Sequence, residues 1–236
     1  MIDLKVDILS ENNEPLYEDF LKRTEHSLFY HTIKYRNFLR KILPSSKSIY
    51  IIAINSGKIV GALPLFISNL DNNSSVINSL PFYGSHGGIL ISNNINGGES
   101  IVELLLHELI NIVKKEKCIS FNIVDNPSSS MGAFYEKKFN LTPSDYRISQ
   151  VTNLVTNNSS IENGLMEKFH SKTRNMVRKS LKYDFNVKID NTYEGFKKIH
   201  HFHNDNMTAI GGAAKPIYVF NALHETFEPE KDYNRS

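Results

Sequence analysis

Two apolar runs meet at a tight turn early in the chain. Ser48 to Ile54 is rich in β-branched residues, Asn55-Ser56-Gly57 is a turn signal, and Lys58 to Ile67 is a second apolar run. β-Branched side chains crowd a helix but suit a pleated sheet, and a short Asn- and Gly-bearing link turns the chain back on itself. The pattern predicts a β-hairpin. Pro64 has no amide proton, which calls for a bulge or an edge at that point of the second strand.

Around the hairpin, strand and helix signals alternate. Leu4 to Leu9 reads as a strand. Pro15 opens a helix to about Arg23, and Thr32 caps another that runs to Leu43 and stops at Pro44. Val76 to Leu80 reads as a short strand. Glu99 to Lys117 carries Ile101, Leu105, Leu109, Ile112 and Val113 at helical spacing. Ile119 to Val124 reads as a central strand, Ser128 to Lys138 as a helix and Arg147 to Val155 as a closing strand. The sum is an α/β layered domain over residues 1–157. A second unit, 158–236, opens with one helix from about Ser159 to Tyr183, with Leu165, Phe169, Met176, Val177 and Leu181 as its buried stripe. A short strand, Phe185 to Ile189, and two helices follow. This unit lacks strands for a sheet of its own. Either its helices pack on the first domain, or they begin a second domain; we take the second as the expectation.

Composition narrows the function. The 236 residues are 40% hydrophobic and 22% charged, with 27 basic against 25 acidic side chains and a net charge of +2. That suits a globular core and excludes a wholly disordered chain or a globally basic nucleic-acid binder. The single cysteine, Cys118, excludes an internal disulfide and reads as a buried thiol. The start lacks the pattern of a signal peptide and no apolar run reaches spanning length, so a cytoplasmic location is expected.

Three segments can carry chemistry. From Lys168 to Lys182 there are six cations and no acid. Such a run repels itself on a bare helix and is relieved by phosphate or carboxylate, although a solvated basic face is the plainer reading. PFYGSHGGIL, Pro81 to Leu90, offers Gly84, Gly87 and Gly88 for close backbone approach, with Tyr83 and His86 as hydrogen-bond donors. SLFYHTIKYRNFL, Ser27 to Leu39, sets His31, Lys34 and Tyr35 at the start of a helix, where an anion is favoured. His200, His201 and His203 lack a matching acid or cysteine pattern, so no metal site is expected. Asp125 follows a strand end. With His86 it is a candidate catalytic residue.

In this order SLFYHTIKYRNFL, IVGALPLF (Ile59 to Phe66), SLPFYGSHGGIL (Ser79 to Leu90) and FHSKTRNMVRKSLK (Phe169 to Lys182) resemble the FemAB-like family. These are the peptidoglycan bridge-forming aminoacyltransferases and their relatives in the GNAT acyltransferase superfamily. The resemblance implies a GNAT-like mixed central sheet with flanking helices, followed by an incomplete second GNAT-like domain. The family's basic pattern, Lys-x-Arg-x-x-x-Arg-Lys, falls on Lys172, Arg174, Arg178 and Lys179. HNDNMTAIGG, His203 to Gly212, resembles the opening of the second domain, with Asn206 as its candidate ligand contact. The usual CoA-binding signature of GNAT proteins is not visible before Glu99 or Ser128.

The resemblance implies acyl or aminoacyl transfer to an amino group of a cell-wall or polysaccharide precursor. The donor would be aminoacyl-tRNA or acyl-CoA, with no tightly bound cofactor. The acceptor would be a phosphate-bearing sugar or peptidoglycan precursor, and peripheral membrane contact fits such a partner. A plain acetyl-CoA-dependent N-acetyltransferase and a non-catalytic RNA- or anion-binding module are the alternatives.

Overall fold

The computed structural model describes residues 4–70, 74–80, 86–93, 97–126, 131–139, 145, 148, 161–186, 188–228 and 231–232. Packing divides the chain into two compact units: Met1–Leu141 with Asn191–Ser236, and Thr142–Asp190. The 157/158 boundary lies outside the described residues, as do 147 and 149–155 of the expected closing strand.

Among the described residues, the first unit is built on a mixed sheet of six strands: β1 (Leu4–Ile8), β2 (Ser46–Asn55), β3 (Lys58–Asn69), β4 (Ser75–Asn78), β5 (Leu90–Ile91) and β6 (Cys118–Asn122). The order is β1-β2-β3-β4-β6, with β5 also on β3. All pairings are antiparallel except β4 with β6, which is parallel. The expected hairpin is β2–β3. Its two central turn residues, Ser56 and Gly57, have φ of 49° and 76°, the twist that lets a two-residue link join twisted strands.

Both faces of the hairpin are buried, which is why its runs are almost continuously apolar. Tyr50, Ile52, Ala62 and Phe66 face one core, with α1 (Glu14–Lys22), α2 (Ile33–Ile42) and α8 (Ile217–Thr226). Ile51, Ala53, Leu63 and Leu65 face the other, with α3 (Gly98–Lys115) and α4 (Gly132–Lys138). The Thr32 hydroxyl caps α2 by accepting from the Tyr35 amide at 3.2 Å. α7 (Tyr193–Ala209) packs on α8, and Phe227 beyond α8 stacks 5.6 Å from Phe38 of α2. The helices after residue 191 thus bury apolar surface in the first unit.

Pro64 lies at a gap in the described pairings. Among the described residues, β3 pairs with β5 at Gly61–Ala62 and with β4 at Phe66–Asn69, and none pairs with 63–65 on that side. Opposite Pro64 stands Tyr50, whose carbonyl faces β1 and accepts from the Leu9 amide at 2.8 Å. The Tyr50–Pro64 pair is therefore not hydrogen-bonded, and the proline nitrogen faces the gap. A central strand tolerates proline here because, among the described residues, no ladder acceptor stands opposite its nitrogen.

The second unit corrects the sequence reading. The helix expected over 159–183 is two: α5 (Ile161–Lys168) and α6 (Ser171–Ser180). His170 breaks it, with extended backbone and a ring nitrogen accepting from the Lys172 amide. A capping side chain starts a new helix, so the predicted apolar stripe is interrupted. None of α6 is buried, and Met176 and Leu181 are 65% and 76% exposed. Among the described residues no strand follows Asn122, so those of Phe185 to Ile189 that are described form none, and no second sheet is discernible. Cys118 is half-buried rather than buried. Of the helix expected over 128–138, residues 132–138 are helical and 128–130 lie outside the described residues.

Phe38 is 1% exposed, at the junction of α2 with Phe227. Phe38→Ala should destabilise the protein by about 3–5 kcal/mol, whereas exposed Met176→Ala should stay within about 0.5 kcal/mol, both read from urea denaturation midpoints.

Candidate functional site

Between β4 and β5 the chain leaves the edge of β3 and returns. Leu80 begins the departure with φ of 45°, a left-handed conformation that a branched side chain adopts only under constraint. Leu80 itself is buried in the core. Residues 81–85, including the candidates Tyr83 and Gly84, lie outside the described residues. The chain is described again at His86.

The neck of this excursion is closed by hydrogen bonds that extend the parallel pairing past β6. The Ser79 amide donates to the Asn122 carbonyl at 3.0 Å, and the Gly87 amide to the Val124 carbonyl at 2.8 Å. Between them, the Val124 amide donates to the Ser79 hydroxyl at 3.0 Å, a side chain standing where a strand carbonyl would. Glycine is required at the returning end. A Cβ on Gly87 would lie 2.7 Å from the Ser79 carbonyl carbon and oxygen, and one on Gly88 would lie 2.7 Å from Asp125 Oδ1. Gly88 also has φ of 60°.

This closure brings His31, His86, Gly87, Gly88 and Asp125 together. His31 is fully buried, and its Nε2 lies 3.0 Å from the Gly87 carbonyl oxygen. The His31 and His86 rings are 6.4 Å apart. Burial lowers the His86 pKa below its ordinary 6.5, and the Asp125 carboxylate opposes part of that shift. Burial likewise lowers His31. Tyr135 of α4, which the sequence reading missed, belongs here: burial and then the Asp125 charge push its phenol well above the usual range. Its spacing on a short amphipathic helix marked only a core residue.

Other candidates lie elsewhere. Tyr35 is 3% exposed and packs among Phe29, Tyr30 and Phe38, a core role rather than an open ligand contact. Lys34 holds the Asp232 carboxylate at 2.5 Å and reaches Glu228 at 3.8 Å. Burial alone would raise the Asp232 pKa, but the Glu228 amide and the Lys34 ammonium hold it below the ordinary value. An anion does sit at the start of α2, and the chain supplies it. Lys172, Arg178 and Lys179 are exposed on α6, and Arg174, half-buried there, reaches the Glu167 carbonyl at 3.5 Å. Asn206 is exposed on α7. His200 meets Phe220 edge to face, His203 accepts from the Lys215 amide at 3.0 Å, and His201 stands 3.5 Å from Asp205. Among the described residues no group of three ligating side chains could hold a metal ion, and no helix is long and apolar enough to cross a membrane. A groove of about 450 Å³ between α3 and α4, lined by Glu103, Leu106, His107, Lys138 and Phe139 among others, contains none of the candidates.

Chemically, the neck offers a neutral imidazole beside a carboxylate. A neutral His86 can accept a proton, and Asp125 stabilises the imidazolium that results.

Gly87→Ala should lower stability by more than about 1 kcal/mol, because the new methyl meets backbone rather than a yielding side chain. Gly132→Ala, with nothing within 4 Å of its Cβ and a place in α4, should be neutral or stabilising by up to about 1 kcal/mol. Thermal or urea denaturation of the two variants measures the contrast.

No family model matches the sequence, and no curated protein does. Solved structures do. FemX aligns with a TM-score of 0.66 at 15% identity, over 94% of this chain and 54% of FemX. An acetyltransferase of Trypanosoma brucei aligns with a TM-score of 0.42 at 19% identity, over 63% of this chain and 100% of its own. Glucosamine-6-phosphate N-acetyltransferase of Arabidopsis thaliana aligns at 0.42 and 15%, over 64% and 99%. The chain spans about half the length of FemX. Across nearly all of its own length it has the FemX fold, a GNAT-like mixed sheet with flanking helices.

Proposed function

We propose that this chain transfers an acyl or aminoacyl group to an amine of a cell-wall or polysaccharide precursor. The observation that carries this reading is the convergence of His86, Gly88 and Asp125 at the neck of the strand excursion, in a chain with the FemX fold. Acyl transfer to an amine needs the nitrogen lone pair free, and it needs somewhere for the amine proton to go. In this reading the amine attacks the carbonyl carbon of the donor, His86 takes the proton, and Asp125 stabilises the charged ring. The donor oxygen or sulfur then leaves with the bonding pair. Aminoacyl-tRNA and acyl-CoA are the two donor classes that fit. Arg174 and Arg178 hold phosphates of the acceptor, since guanidinium matches phosphate with two parallel hydrogen bonds. Lys34, held by Asp232, is not assigned to the acceptor.

The test is direct. Purified protein is incubated with aminoacyl-tRNA or acyl-CoA and a nucleotide-linked sugar or muropeptide acceptor, and products are read by mass spectrometry. The expected result is acceptor heavier by one acyl or aminoacyl group, with His86→Ala slower by about 10²–10⁴-fold. The neutral ring is the active form and its pKa lies below 6.5, so the acid limb of the kcat/KM profile should fall below pH 6.5. No product with either donor class, together with saturable RNA binding, would overturn the reading in favour of a binding module. Arg174→Ala and Arg178→Ala should each weaken acceptor binding by about 1–3 kcal/mol, or about 5- to 150-fold, by calorimetry. Unchanged affinity would remove both residues from the acceptor site.

A further inference from the structure

His31 and Gly87 are 56 residues apart in sequence and in direct contact in the fold. His31 closes the 3₁₀ turn Phe29–His31, just before α2. The turn is anchored from α1, where the buried Tyr17 hydroxyl donates to the His31 carbonyl at 2.9 Å. The His31 ring then reaches in two directions. The Leu28 amide donates to Nδ1 at 2.9 Å, a shorter contact than the 3.3 Å from Nδ1 to the Leu28 carbonyl oxygen, and Nε2 lies 3.0 Å from the Gly87 carbonyl oxygen. An amide donor requires a lone pair on Nδ1, and a carbonyl acceptor requires a proton on Nε2. Only the neutral Nε2–H tautomer satisfies both.

Gly87 is thereby held from three sides. Its carbonyl accepts from His31, its amide donates to Val124, and its α-carbon lies on the Ser79 backbone. The residue before it is His86 and the residue after it rests against Asp125. We infer that His31 is a positioning residue: its Nε2–H fixes the Gly87 carbonyl and so sets His86 in place beside Asp125. For its catalytic consequence this rests on the acyl-transfer reading, but the geometry does not. Without the imidazole the Gly87 carbonyl would be buried and unpaired, and the returning chain would lose one of its three restraints. An apolar residue of similar size would fill the space and leave both backbone groups unsatisfied. Histidine satisfies an amide on one side and a carbonyl on the other. Burial, which disfavours the charged ring, keeps it in the form that does so.

Two substitutions separate the two hydrogen bonds. His31→Gln places an amide nitrogen near the Nε2 position and can still donate to Gly87. His31→Asn keeps a polar atom near Nδ1 for Leu28 but does not reach Gly87. Ring-nitrogen NMR of the full wild-type chain should show His31 as the neutral Nε2–H tautomer. In His31→Asn the His86 ring and Gly87 amide resonances should shift, while in His31→Gln they should stay near their wild-type positions. In the acyl-transfer assay His31→Asn should lose about 10- to 100-fold in kcat with KM within about threefold, and His31→Gln should recover most of that loss. An Nδ1–H tautomer in the wild type, or equal effects of the two variants on His86, would overturn the assignment. If no donor supports transfer, the functional reading fails while the NMR comparison still decides the positioning role. If His31→Asn does not fold, the wild-type tautomer and the His86 resonance in His31→Gln decide it.

Discussion

The hydrogen bond from the Val124 amide to the Ser79 hydroxyl is the pivot of this fold. A parallel strand pair cannot continue where one strand departs, because each missing carbonyl leaves an amide without an acceptor. Ser79 supplies the acceptor from its side chain. Pairing with the β6 strand then resumes at Gly87 as though the excursion were absent. The left-handed turn at Leu80 and the need for glycine at 87 and 88 both follow from letting the chain out at one point and readmitting it at another. The result is a break in a sheet edge whose lips carry an imidazole and a carboxylate.

Much of the framework was legible in the residues. The β2–β3 hairpin and the Thr32 cap depend on local chemistry, and a turn or a cap is decided within a few residues. The glycines of PFYGSHGGIL signalled close approach, and the structure supplies the objects approached: the Ser79 backbone for Gly87 and the Asp125 carboxylate for Gly88. His31 was singled out for a different reason. Its neighbours suggested an anion at a helix start, but its full burial follows from Tyr17, Leu28 and Gly87 converging on it. No sequence window contains all of these contacts. Tyr135 was missed on the same ground, since its relation to Asp125 is tertiary. The break at His170 was local and could have been read: a capping-type side chain within a polar, cationic stretch competes with helix continuation.

The cations divide in a similar way. Lys34 looked free in the sequence, yet Asp232 lies almost two hundred residues away and occupies it. The α6 cations have no such acid among their near neighbours in the chain, and α6 buries no residue. An exposed charge contributes little to the fold, which leaves the α6 cations available to an anion. That is why the α6 arginines, rather than Lys34, carry the acceptor role in the proposed chemistry.

The central claim is that the excursion is locked shut at its base. Native-state hydrogen exchange of the Gly87 and Val124 amides, resolved by NMR, tests it most directly. The account predicts protection of both close to that of the buried β2–β3 ladder, because opening either requires breaking the shared closure. Exchange of these amides at the rate of an exposed loop, with the ladder still protected, would contradict it.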